Sequence, residues 1–205
     1  MHISEGVLSP AVLIAGALLT AGGVAIGLKK MDYAKIPGVA VLSSAFFVAS
    51  LIHVPIGPVS AHLILNGLVG IILGWMAFPS ILVALLLQAV LFQFGGITTL
   101  GVNTMIMAAP AVSAYYLFSF LIKKGNHAII AVSGFFAGIT GIGLASLLMA
   151  ISLIGTGEEF INIVKLIILS HIPVMVVEGI ITGFCILFFK RVKPELLGIT
   201  EGVKS

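Results

Sequence analysis

The residue whose placement says most about chemistry in this chain is His2. A free α-amine on Met1, the backbone nitrogen of His2 and its imidazole Nδ1 can chelate one metal ion in a single plane. The five- and six-membered rings so formed lock once the amide proton is lost. The bulk of His2 disfavours removal of Met1, which keeps the amine where the chelate needs it. Three nitrogens in a plane leave one equatorial position open. All-nitrogen square-planar coordination points to Ni(II) or Cu(II), with low-spin Co(II) as a further option. Mg(II) and Ca(II) want oxygen ligands, and Zn(II) wants a tetrahedron.

The fourth donor must come from the same face of the protein as the tail. His62 fits, read as lying in the first turn of a third helix that Ser60 caps, with Asn66 one turn deeper to orient it. His53, at the end of the second span, competes with it, although an interfacial histidine at a helix end is the simpler account. The loop between them carries Pro55, Gly57 and Pro58 and is stiff enough to hold His62. Asn103 and Thr104 open the fifth span on that side, where they either bond the folded-in tail or cap their own helix. Gln88 and Gln93 read as helix glue. His171 and Glu178, seven residues apart on one face of the last span, are intramembrane ionisable groups. They form either an ion relay, which would make the chain an ion-coupled secondary transporter, or a mutually satisfied structural pair. His127 belongs to the opposite side.

The elements that position these residues follow from composition. Of 205 residues, 60% are hydrophobic and only 8% charged, far below the roughly one quarter of a soluble domain. Mean hydropathy is +1.28. At about 20 apolar residues per span, this is an all-α integral membrane protein. Seven apolar runs stand out, at 10–28, 36–53, 61–77, 80–94, 103–122, 127–154 and 160–189, with six spans as the alternative. Ser9-Pro10 marks the first helix start, and Thr156-Gly-Glu-Glu159 matches a capping box. Residues 1–9 are then an external chelating segment, 10–189 a single seven-helix bundle and 190–205 a basic tail. All Lys and Arg except Lys165 fall on one side of such a bundle. The positive-inside rule makes that side cytoplasmic and the N-terminus external. The cations form no nucleic-acid-binding face, Cys185 has no disulfide partner, and no P-loop or HExxH pattern occurs. ATP-driven transport would need its engine on another chain, and no organic cofactor is called for.

The opening Met1-His-Ile-Ser-Glu-Gly-Val-Leu8 resembles the M-H-I-x-x-G-x-L start of the cobalt/nickel substrate-binding membrane subunits of energy-coupling factor transporters, the CbiM/NikM group. Ser60-Ala-His62 and the stretch from Val102 to Pro110 are similar to further signatures of that group. The resemblance covers the whole chain and implies a non-catalytic capture subunit in a prokaryotic cell membrane, with Ni(II) or Co(II) as cargo and nickel favoured. It implies Met1, His2 and His62 as ligands and a membrane coupling protein, two ATPase subunits and a small accessory membrane subunit as partners. It also implies release inward as the whole subunit tilts. One departure stands out: many members have Cys-Ser-His-Pro-Thr-Gly where this chain reads Val59-Ser-Ala-His-Leu-Ile. Ala45 and Ala49, a small-xxx-small pair, either serve helix packing or make the contact with the coupling protein.

Overall fold

The computed structural model describes residues 2–56 and 59–199, the side chains of residues 53–61 aside. They form seven α-helices and one short hairpin. These are α1 (Pro10–Lys29), α2 (Ile36–Ala49), β1 (His53–Ile56), β2 (Val59–His62), α3 (Asn66–Leu73), α4 (Ala77–Phe92), α5 (Leu100–Lys124), α6 (His127–Ile154) and α7 (Ile161–Val192). Five helical stretches are long and apolar enough to cross a membrane: α1, the run Asn66–Phe92, α5, α6, and α7 with the turn before it. Large apolar side chains such as Leu18, Leu169 and Phe184 stand outward, as lipid contact requires. This is a multi-pass membrane protein.

The run Asn66–Phe92 is folded back on itself. Gly74 takes φ 54° and ψ −125°, a conformation open to glycine and costly for other residues. Asn66 packs at Gly141, in the middle of α6, whereas Gly74 lies beside Tyr115, well down α5. The chain then turns: Phe78 packs on Gly23 of α1, and Gln88 reaches Phe47 and Ser50 at the far end of α2. α3 is therefore a half-helix that starts inside the bundle. Its eight residues rise only about 12 Å, which corrects the expected third span at 61–77.

Two helix starts also differ from expectation. α3 begins at Asn66 after Leu65 in the left-handed region, while Ser60 sits in β2 opposite Pro55 and so does not cap it. Hairpin pairing claims the backbone of 59–62 before a helix can. The capping box at Thr156 does not form either. Thr156 Oγ1 donates to the Ser152 carbonyl and accepts from Ser9 N, and a 3₁₀ turn, Glu158–Phe160, leads into α7.

Lys30, Lys35 and Lys123 line one cavity of about 300 Å³, so the basic ends of α1, α2 and α5 share one end of the bundle. α6 and α7 meet through small residues, Gly134 against Gly183 and Gly138 against Gly179, as the Gly/Ala-rich stretch promises. α3 approaches α5 equally closely. A β-carbon on Gly70 would strike the Ala111 carbonyl, whereas one on Gly22 would meet nothing. Gly70→Val should therefore destabilise the detergent-solubilised protein by about 1–3 kcal/mol, and Gly22→Val should not. Equal melting temperatures for the two variants would disprove that packing.

Candidate metal centre

The N-terminal segment is drawn into the bundle by its own apolar residues. Ile3 is fully buried and Leu8 nearly so, both within the main core. An extended tail entering an apolar interior must find partners for its backbone, and α5 supplies them. Asn103 Oδ1 accepts from Ile3 N at 2.9 Å, and Asn103 Nδ2 donates to the Ile3 carbonyl at 3.0 Å. One side-chain amide thus stands in for a neighbouring strand. Farther out, Glu5 N donates to the Gly95 carbonyl at 3.3 Å, and Glu5 Oε1 accepts from Thr98 N at 3.0 Å. Gly95 has φ +74°, and a β-carbon there would stand 2.9 Å from Asn103 Nδ2. Both facts call for glycine beside the site.

This insertion buries His2 to 5% exposure, next to His62 at 3%. The hydrogen-bond network sets both tautomers. The Gln88 amide nitrogen donates to the Phe47 carbonyl and to Ser50 Oγ, and Ser50 Oγ in turn donates to Phe47. The Gln88 carbonyl oxygen is thereby left facing His2 Nε2 at 2.7 Å, so Nε2 carries the proton and Nδ1 is the basic nitrogen. His62 Nδ1 lies 2.9 Å from the Leu63 carbonyl, which can only accept, so Nε2 is the basic nitrogen there. The two basic nitrogens face each other at 3.0 Å. Two neutral acceptors so placed are suited to share a cation between or beside them. Imidazole nitrogens bind a divalent ion such as zinc at about 2.0–2.1 Å, so adjacent corners of a square lie about 2.9 Å apart, close to the spacing here. Burial above all holds the His62 imidazole well below its ordinary pKa, which keeps it neutral and ready to ligate.

The other expected residues are placed as follows. Met1 and the side chains of Ser60 and His53 lie outside the described residues. The backbone of His53 pairs with His62 across the hairpin, and α2 ends before it, at Ala49. His62 ends β2 and is not in a helix, so Asn66 does not lie a turn below it; it starts α3, its side-chain atoms buried without hydrogen-bond partners among the described residues. Asn103 binds the tail, one of its two readings, whereas Thr104 Oγ1 is buried without a partner among the described residues. Ala45 is exposed on α2 and Ala49 half-buried. His171 and Glu178 are fully buried but do not pair. His171 Nδ1 bonds the Ile167 carbonyl, and Glu178 bonds the backbone of Ile64 and Leu65. His127 begins α6 at the basic end. Among the described residues no three His, Cys, Asp or Glu side chains gather into a metal cluster. Gln88 was read as glue, and its signal was an amide in an otherwise apolar span.

The sequence pattern of the CbiM family, described as the cobalt uptake substrate-specific transmembrane region, matches residues 2–196. A Haemophilus influenzae protein named for metal transport is 44% identical, over 98% of each chain. The fused nickel transport protein NikMN of Rhodobacter capsulatus is 30% identical over 96% of this chain, which spans 64% of that longer protein. A solved transition metal transporter is 29% identical and superimposes with a TM-score of 0.81, covering 94% of this chain and 93% of its own. Partners that orient a ligating histidine are typically worth about 10–100-fold in metal affinity. Gln88→Leu, which removes the acceptor for His2 Nε2, should weaken Ni(II) binding by that factor in a titration of purified protein. Unchanged binding would mean that Gln88 does not set the tautomer.

Proposed function

The chain belongs to the CbiM family of cobalt-uptake transmembrane regions, and from that premise we propose that it is the substrate-capture subunit of an energy-coupling factor importer for Ni(II) or Co(II). The observation that carries this reading is the meeting of His2 Nδ1 and His62 Nε2, 3.0 Å apart, each turned into an acceptor by its own hydrogen bond. Nδ1 is the very nitrogen that a chelate with the His2 amide and the Met1 amine requires. The ion sits in the plane of the Met1 amine, the His2 amide nitrogen, His2 Nδ1 and His62 Nε2. A d⁸ ion in such a plane is best served, which favours nickel. Affinity does not exclude Cu(II), which tops the divalent series, so availability and redox state would do so.

Capture leads to release by movement of the whole subunit. α3 fills the path below the centre, all but Ile72 of it buried, and the opposite mouth is lined by Lys30, Lys35 and Lys123, which repel a dication. The resemblance to energy-coupling factor subunits supports two ATPase subunits, a membrane coupling protein and a small accessory subunit as the source of energy and motion, and the sequence carries no P-loop pattern of its own. Exposed Ala45 and half-buried Ala49 on α2 form the contact with the coupling protein. The basic end faces the cytoplasm of a prokaryotic cell, and the metal centre opens outward.

The test is Ni(II) titration of detergent-purified protein with a free N-terminus, read by the visible band of square-planar Ni(II). A Gly-Ser extension before Met1 turns the amine into an amide and should abolish tight binding; equal affinity would overturn the chelate. His62→Ala should cost orders of magnitude and His127→Ala nothing, and equal losses would mean the site is misassigned. The metal also displaces the His2 amide proton at every accessible pH, so affinity should fall about tenfold or more for each pH unit of acidification. His62, held neutral by burial, adds its own competition only at lower pH. A flat profile would rule out the amide ligand.

A further inference from the structure

Glu178 is fully buried in the middle of α7, and no Lys or Arg pairs with it among the described residues. A carboxylate in the membrane interior demands an explanation. Its Oε1 accepts from Ile64 N and, at 2.8 Å, from Leu65 N. These residues lead from the hairpin into α3, where Leu65 holds φ 57°, a conformation a leucine keeps only if its surroundings impose it. One peptide unit in this segment is gripped at both ends. Its carbonyl, on Leu63, accepts from His62 Nδ1, and its N–H, on Ile64, donates to Glu178.

We propose that Glu178 is a positioning residue for metal capture, acting on His62 through the Leu63–Ile64 peptide. The proposal rests on the reading of His62 as a ligand. A peptide is planar and rigid, so fixing its N–H fixes the direction in which its carbonyl receives the imidazole N–H. That direction sets the rotation of the His62 ring and aims Nε2 at His2. Hydrogen bonds in series also strengthen one another. An N–H held by a carboxylate makes the carbonyl a better acceptor, which makes His62 Nε2 a more basic donor. Metal-binding histidines commonly lean on a carboxylate directly; here a peptide bond stands between the two. The arrangement also ties α7 to the metal centre, although α7 contributes no ligand.

A double-mutant cycle tests this with Cu(II) as the probe, since its place at the top of the divalent series lets the three-nitrogen remnant titrate after His62 is removed. Glu178→Leu in the otherwise native protein should weaken Cu(II) binding about 10–100-fold, and in the His62→Ala background by less than about threefold, because the residue acts only through His62. Glu178→Gln keeps an acceptor oxygen for the two amides without the charge. It should show a smaller loss, again confined to the His62-containing protein, and it serves in place of Glu178→Leu should that variant not fold. Equal losses in both backgrounds, or no loss from either substitution in the native background, would overturn the proposal. Failure of the native protein to bind metal, or indifference to the N-terminal extension, would overturn the ligand set itself and is read from the parent protein alone.

Discussion

Inside a bilayer no water is available to satisfy a backbone amide or carbonyl, so every backbone polar group that enters must find a partner within the protein. The centre of this molecule is built under that constraint. Two irregular segments enter the bundle, the tail around His2 and Ile3 and the stretch from His62 to Asn66, and each is met by side chains on helices. Asn103 on α5 satisfies both polar groups of Ile3, and Glu178 on α7 satisfies Ile64 and Leu65. Satisfying the backbone also places the two histidines, because the held residues are their immediate neighbours.

The same constraint explains how two neutral imidazoles come to present acceptor nitrogens to each other. Each ring uses its N–H on a partner that can only accept: the Gln88 carbonyl oxygen for His2 and the Leu63 carbonyl for His62. Gln88 is itself oriented by Phe47 and Ser50 at the end of α2. α2, α4, α5 and α7 thus all bear on a centre whose imidazoles come from the tail and the hairpin. A displacement of any one of them is felt at the two imidazoles.

Part of this was legible in the residues. The membrane class follows from composition and hydropathy, and His2, His62 and Asn103 were legible as candidates; the residues alone left His53 open as a rival to His62 and helix capping as the other reading of Asn103, and the burial of the tail came with the fold. The hairpin at 53–62 was hidden, because an apolar stretch with Pro55 and Pro58 reads equally well as a helix end and a loop. The break between the third and fourth apolar runs was legible, but the half-helix was not: only the backbone shows that it begins as late as Asn66 and that the chain turns at Gly74. Gln88 and Glu178 were visible as polar residues in apolar spans, but what each one touches depends on which helices meet.

Sequence alone determined that the protein lives in a membrane and that His2 sets an imidazole beside its own backbone nitrogen. These are properties of composition and of covalent neighbours, which no fold alters. Tertiary structure decided which nitrogen of each histidine bears the proton, that His62 leaves a strand and is not seated on a helix, and that α7 reaches the centre through a peptide bond. Those outcomes depend on hydrogen bonds between residues 86, 100 and 114 positions apart in the chain, a separation across which local pattern carries no information.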